Sequence, residues 1–252
     1  MAKLQALIFD VDGTLADTER DGHRVAFNLA FKDAGLNWQW DVQTYGDLLT
    51  VAGGKERIRY FVDHDQPDLN VPATLEALIA GLHRRKTIHY QQLLKTGVVR
   101  LRPGVARLLR EARRQGVVLA IATTTGLDNV TGLLESTLGE ASVDWFAAIG
   151  AGDVVANKKP APDIYEFVLR ALGLQPSQCV AIEDSYNGII AATAAGLDTI
   201  VTINEYTRNE DFASATLVVD QMGEPDQPFT VLQGRVDTVR CLTLELIRRL
   251  HH

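Results

Sequence analysis

Cysteine is scarce in this chain. The two present among 252 residues, Cys179 and Cys241, exclude a disulfide framework and show no metal-ligand spacing. Both are expected to be reduced, which fits a cytoplasmic protein. Long apolar runs are missing as well, and none reaches the roughly 20 residues that a membrane-spanning helix needs. The stretch Met1-Ala2-Lys3-Leu4-Gln5 has no signal-peptide core and no Arg/Ser-rich transit character. Nor is there an excess of positive charge. A formal net charge of -7 argues against a general nucleic-acid binder, though it leaves room for a local cationic pocket. Internal repeats and low-complexity tracts are absent. What remains is a composition ordinary for a globular protein, long enough for one large domain or two modest ones with ample core.

Against that plain background one segment stands out. Leu4-Gln5-Ala6-Leu7-Ile8-Phe9 reads as a buried parallel strand, and Asp10-Val11-Asp12-Gly13-Thr14 follows it directly. Two carboxylates thus lie where a strand ends and a tight turn begins. In open α/β sheets, ligands bind at the carboxyl ends of the strands. Such a pair suits phosphoryl chemistry: one carboxylate can attack, the other can move a proton, and Gly13 lets the backbone come close.

From Thr18 to Lys95 the pattern is helical. Apolar residues recur at three- and four-residue steps in Val25, Leu29 and Ala30, then in Leu75, Leu78, Ile79 and Leu82, with breaks at Gly35, Gly53-Gly54 and the Pro67 to Pro72 stretch. Strand and helix then alternate. A helix is expected over Val105 to Arg114, and strands over Val117 to Ala122, Trp145 to Ile149, Cys179 to Ile182, Thr199 to Ile203 and Leu217 to Val219. Further helices are expected from Pro162 to Gly173, from Ile189 to Ala195, and from Thr238 to Leu250 as an amphipathic tail. Alternation of this kind implies parallel pairing. The fold class is therefore α/β: a Rossmann-like parallel sheet core (residues 1–17 and 96–252) with an inserted all-helical cap (residues 18–95). A cap emerging just past Asp10 is expected to hang over the site and exclude water.

Four loops at strand ends carry suspicious polar residues: Asp10 and Asp12, then Thr123, then Lys158-Lys159-Pro160, then Glu183-Asp184. Four motifs in this order resemble the haloacid-dehalogenase-like (HAD) superfamily over essentially the full length. Glu183-Asp184-Ser185-Tyr186-Asn187-Gly188-Ile189 followed by Ala194-Ala195-Gly196 resembles its β-phosphoglucomutase-like branch. Ala52-Gly53-Gly54-Lys55-Glu56-Arg57-Ile58 is similar to the CbbY-type sugar-bisphosphate phosphatases within it.

The resemblance implies roles. Asp10 is the expected nucleophile, forming a phosphoaspartate. Asp12 is the expected general acid and then general base. Lys159 neutralises the phosphoryl group and orients Asp10, while Thr123, with the Thr124 backbone, bonds a phosphoryl oxygen. Mg²⁺, a hard cation preferring oxygen ligands, is the implied cofactor. Its implied ligands are the Asp10 and Asp184 carboxylates and the Asp12 carbonyl, with Glu183 bound directly or through water. In the helical insert, Lys55 follows two glycines and can reach an anion, and the branch resemblance puts Lys86 near a phosphate. Arg59, Gly54 and Glu19 complete the expected substrate set, with His23 beside Glu19.

Bland readings stand beside these. Asp10 and Asp12 alone also fit a strand-ending turn. A calcium loop fails because no third oxygen ligand or bidentate Glu follows at its spacing. Lone lysines are usually solvated, and Thr123 is also a plausible loop cap. Trp38, Trp40 and Tyr45 read as core or as cap interface. The resemblance implies a Mg²⁺-dependent phosphatase for a small sugar bisphosphate, with xylulose 1,5-bisphosphate as the specific expectation and relief of Rubisco inhibition as the role. The helix from Thr238 can pack on the core or on another subunit; the core, and hence a monomer, is the expectation. No nucleic-acid or membrane partner is expected. The alternatives are a β-phosphoglucomutase-type isomerase, which shares every core residue, and a non-catalytic phosphate-binding protein.

Overall fold

The structure, a computed structural model, describes residues 3–65, 74–236 and 239–251. The chain folds as two compact units, one of residues 1–17 and 100–252, the other of residues 18–99. The second unit runs to Val99 rather than Lys95 because Val99 is buried and lies against Gly22, in a crevice that Tyr90 also lines.

Strand β1 (Ala6–Phe9) opens the first unit and is buried along its whole length. The second unit follows and contains only helices among its described residues. A π-helical turn over Glu19–His23 leads without interruption into α1 (Arg24–Asp33), and α2 (Val42–Leu48), α3 (Gly54–Asp65) and α4 (Leu75–Lys95) follow. Asp41 and Thr74 cap α2 and α4, accepting from the Thr44 and Ala77 backbone amides at 2.7 and 3.4 Å. Trp40, Tyr45, Phe27 and Phe31 are completely buried and pack ring against ring, so the core reading of Trp40 and Tyr45 holds. The expected break at Pro67 to Pro72 lies outside the described residues.

The first unit resumes with α5 (Val105–Arg114), β2 (Val118–Thr123), α6 (Leu127–Leu138), β3 (Phe146–Ala151), α7 (Asp163–Leu172), β4 (Cys179–Glu183), α8 (Tyr186–Ala194), β5 (Asp198–Thr202), β6 (Leu217–Val219), β7 (Val231–Gln233) and α9 (Leu244–Leu250). The seven strands form one sheet in the order β3-β2-β1-β4-β5-β6-β7. All neighbours are parallel except β6 and β7. β1 is central, flanked by β2 and β4, and the near-continuous burial of all three is what a sheet covered on both faces requires. Register sets the next step. Phe9 pairs with Ile121 and with Ile182, so the residues just beyond, Asp10, Ala122 and Glu183, reach one level of the sheet edge.

Two elements, α6 and β7, went unannounced in the sequence, and the start of one expected helix needs correction. β7 is an edge strand that the sequence did not announce: its three residues are all exposed and carry no alternating pattern. The C-terminal helix starts at Leu244, capped by Thr243, whose hydroxyl accepts from the Leu246 amide at 3.2 Å. Its expected first residue, Thr238, lies outside the described residues. The residues just before the helix spend their backbone groups elsewhere: the Leu242 amide donates to the Met222 carbonyl at 2.7 Å, and the Arg240 carbonyl accepts from Phe229 at 2.9 Å.

Candidate active site

Each functional side chain sits where its strand stops. Asp10 follows β1, and its amide still bonds the Ile182 carbonyl at 2.9 Å. The chain then turns sharply: the Val11 carbonyl accepts from Thr14, Leu15 and Ala16 at 2.9 to 3.4 Å. Gly13 has φ 86°, a left-handed conformation that glycine adopts at little cost. A Cβ there would overlap the Asp184 carboxylate, so the turn needs glycine twice over.

Lys159 links the loops. Its ammonium donates to Asp10 Oδ1 at 2.7 Å and to Glu183 Oε1 at 2.6 Å. All three residues are buried, Lys159 at 5% and Glu183 at 0% exposure, so the ion pairs are shielded from water. The Lys159–Pro160 peptide bond is cis. Tyr165 from α7 also donates to Glu183 Oε1, while Glu183 Oε2 accepts from the Asp184 amide at 3.2 Å. The backbone of Gly188, near the start of α8, lies directly against the Glu183 carboxylate and leaves no space for a side chain. Ser185 caps that helix by accepting from the Gly188 amide at 3.2 Å.

Asp184 completes the cluster. Oxygens of Asp10, Glu183 and Asp184 lie within 4.8 Å of one another, and all three residues are buried. Burial and the neighbouring Glu183 push the Asp10 carboxyl up to about 8, against the pull of Lys159. Burial, with Asp10 and Glu183, raises Asp184 well above the usual carboxylate range, against the nearby Arg102 and Lys159. Lys159 stays firmly charged: burial works against its charge, but Asp10 and Glu183 outweigh it and raise its pKa. Three carboxylates thus face one lysine in a dry place. A hard divalent cation fits this donor set of oxygens and would offset the surplus negative charge.

Thr123 ends β2, buried, its hydroxyl oxygen accepting from the Thr125 amide at 3.2 Å; Thr124 beside it is half-buried. Asp12 is half-buried in the turn after β1, and its carboxylate is not one of the three in the cluster. The structure therefore brings together Asp10, Lys159, Glu183 and Asp184 from three separate loops. Sequence reasoning missed Tyr165, Arg102 and Asn204. Tyr165 hides within the apolar face of α7, between Ile164 and Val168. Arg102 is buried at 7% exposure and holds the carbonyls of Gly13, Thr202 (2.9 Å), Ile203 and Asp220 (2.8 Å), besides pairing with Asp17 at 3.3 Å. Asn204 donates to Asp184 at 2.6 Å. Its position just past the carboxyl end of β5 was the signal available.

The second unit holds its own buried polar group. Lys86 is only 4% exposed, its ammonium 5.1 Å from the Phe27 ring centroid and 5.3 Å from that of Tyr90. Gly54, at the start of α3, leans on the same Phe27 and on His83. Glu19 accepts from the Tyr45 hydroxyl, with the Arg57 guanidinium 4.0 Å away. His23 is buried and lies ring to ring with Tyr90 at 4.0 Å. Lys55 is half-buried. Arg59 stands apart: it forms an exposed ion pair with Glu76 at 3.1 Å, as α3 packs beside α4.

Comparison with known proteins supplies the family. A profile described as haloacid dehalogenase-like hydrolase matches residues 4–196. The chain belongs to the haloacid dehalogenase-like hydrolases. By family and fold it is an enzyme, a HAD-type phosphatase. It is 48% identical to Protein CbbY of Cereibacter sphaeroides over 221 residues, 88% of this chain and 94% of that one. It is 44% identical to the CBBY-like protein of Arabidopsis thaliana over 226 residues, 88% of this chain and 70% of that one. The crystal structure of CbbY from Rhodobacter sphaeroides in complex with phosphate superposes with a TM-score of 0.81 at 48% identity, covering 86% of this chain and 94% of the other. A mutant of that protein, solved with Xylulose-(1,5)bisphosphate, matches equally well. No helix among the described residues is long and apolar enough to cross a membrane.

Proposed function

We propose that this protein is a Mg²⁺-dependent phosphatase that works through a phosphoaspartate on Asp10 and takes xylulose 1,5-bisphosphate to xylulose 5-phosphate. The buried meeting of Asp10, Lys159 and the Glu183-Asp184 pair carries this reading. A carboxylate nucleophile must approach an anionic phosphoryl group, so the site has to supply positive charge and exclude water. Lys159 supplies one charge and aims Asp10 through a 2.7 Å bond. Asp10 and Asp184, with the Asp12 carbonyl, would hold the magnesium ion, which adds charge against the phosphoryl oxygens and favours the ionised form of Asp10. Glu183 is committed to Lys159, Tyr165 and the Asp184 amide, so it serves this ion at most through water.

The chemistry then runs on the chain's own residues. An Asp10 oxygen attacks phosphorus, the bond from phosphorus to the sugar oxygen breaks, and Asp12 gives that oxygen its proton. Asp12, now ionised, takes a proton from water as that water attacks the phosphoaspartate. Inorganic phosphate leaves and Asp10 is restored. Thr123 and the Thr124 backbone bond a phosphoryl oxygen. Lys55, Lys86, Gly54 and Glu19 of the second unit, with Arg59 as the outlying member, serve the sugar and its second phosphate as a cap. The likeness to CbbY supports the choice of sugar bisphosphate. Xylulose 1,5-bisphosphate inhibits Rubisco, so the role would be metabolite repair beside the Calvin cycle, in the cytoplasm.

The test is phosphate release, with and without Mg²⁺, from xylulose 1,5-bisphosphate, ribulose 1,5-bisphosphate, sugar monophosphates and β-glucose 1-phosphate. Mg²⁺-dependent release from the first, far above the rest, is expected. Conversion of β-glucose 1-phosphate to glucose 6-phosphate, with little free phosphate, would instead make the protein a mutase.

A further inference from the structure

The two oxygens of Asp184 are held very unequally. Oδ2 accepts from Asn204 Nδ2 at 2.6 Å, whereas among the described residues Oδ1 has only the Thr14 hydroxyl, at 3.4 Å. Asn204 lies two residues past the end of β5 and is half-buried. Its side-chain orientation is determined by its other bonds. The amide oxygen accepts from the backbone N–H groups of Tyr206 at 2.9 Å and Thr207 at 3.3 Å, so the NH₂ end must face the carboxylate. The Asn204 backbone amide in turn donates to the Thr207 hydroxyl at 3.0 Å.

The loop that carries Asn204 is anchored from below. Arg102 donates to the carbonyls of Thr202 (2.9 Å) and Ile203, and also to that of Gly13. One buried guanidinium therefore ties the turn after β1 to the end of β5. Gly13 also faces the Asn204–Asp184 bond closely: a Cβ at Gly13 would collide with Asp184 Oδ2 and come within 2.6 Å of Asn204 Nδ2. The missing side chain leaves room for this one hydrogen bond.

We propose that Asn204 is a positioning residue for the metal-binding carboxylate: by engaging Oδ2 it fixes the rotation of Asp184 and presents Oδ1 to the divalent cation. This rests on the metal-dependent reading above. A neutral amide suits the task. It orders the carboxylate without cancelling the charge that attracts a cation, which a lysine at that position would do. Partners that orient a ligand in this way typically set metal affinity within a factor of about 10 to 100.

Asn204→Ser separates this role from loop structure. A serine oxygen can still accept from the amides two and three residues on, but it is too short to reach Asp184. Mg²⁺ binding is titrated calorimetrically without substrate, so the outcome does not depend on which phosphate ester is cleaved. The expected result is affinity weaker by about 10- to 100-fold, with most of kcat recovered at saturating Mg²⁺. Wild-type Mg²⁺ affinity in Asn204→Ser overturns the proposal, even if the variant melts at a lower temperature. A second readout needs no variant: the Asn204 side-chain NH₂ signals of the wild-type protein, followed by NMR, should shift on adding Mg²⁺. Signals that do not move overturn it as well. Loss of phosphatase activity on every sugar bisphosphate, with Mg²⁺ affinity still lowered by the serine, would sink the substrate assignment and leave Asn204 standing.

Discussion

Lys159 is the residue whose removal should be felt most. Among the described residues it is the only charged donor bonded to both Asp10 and Glu183, and all three are buried. Lys159→Met would leave two carboxylates facing each other in the dry interior. Uncompensated buried charge of this kind costs roughly 3–5 kcal/mol, so the urea midpoint should drop sharply and phosphate release should vanish. A midpoint near wild type would show that the pair is more hydrated than its burial implies. Asp10→Asn tests the nucleophile. It keeps the shape but cannot form a phosphoaspartate, so turnover should be abolished while binding of a phosphorylated ligand is largely spared. Unchanged phosphate release would rule out the covalent route. Most of these residues were legible in the sequence, because each sits at the end of an apolar strand run or beside a proline. Tyr165 was not. A tyrosine between Ile164 and Val168 looks like core, and only the fold reveals that its hydroxyl reaches Glu183.

Helix α8 matters through its first turn. Its backbone touches the Glu183 carboxylate at Gly188, and Ser185 caps it. Gly188→Ala should therefore act on the site from a helix. The added methyl has no space, so either the helix or Glu183 must shift, and the Lys159 and Tyr165 bonds would be disturbed. The expected outcome is loss of both stability and kcat, read by urea unfolding and phosphate release on the same sample. Ser185→Ala, by contrast, should cost only about 1 kcal/mol from the lost cap. If the two variants behave alike, close approach to Glu183 is not what requires glycine. At this scale the strands from β1 to β6 were readable from apolar runs, whereas β7 and the start of α9 were not. Both depend on backbone pairing with distant segments, Val218 and Val219 for β7 and Met222 for the chain before α9. No local periodicity encodes such partners.

For the molecule as a whole, the acidic cluster should make stability depend on pH in a direction opposite to most proteins. The Asp10 carboxyl holds its proton up to about 8 in the folded state, against 3.8 in the unfolded chain. Between those values the unfolded chain binds fewer protons, so stability falls as pH rises through about 4 to 8 and levels off above. Asp184 adds in the same direction. Lys159 does not offset this within the window, because its contribution is lost only at pH values above its ordinary one of 10.5. In EDTA the melting temperature should therefore decline across that range. Added Mg²⁺ should raise it, and more so at the alkaline end, because an ion that binds only the folded state stabilises it. A Mg²⁺ increment independent of pH would argue that the ion does not sit among these carboxylates.

The α/β class, the identity of the first strand, the helical nature of the insert and the residues Asp10, Asp12, Thr123, Lys159, Glu183 and Asp184 were all set out by the sequence alone. Strand runs, glycine stops and polar residues at strand ends are local signals that need no partner to be read. What only the tertiary structure decided is which of these groups meet. The order β2-β1-β4 puts Asp10 beside Glu183, although 173 positions separate them in the chain. It also recruits Tyr165 and Arg102, whose neighbours in sequence give no hint of the site, and Asn204, whose only signal was its place just past the end of β5. Burial then couples three ordinary carboxylates and a lysine strongly to one another and shifts their protonation, because the dielectric that decides this belongs to the packed sheet and not to any stretch of chain.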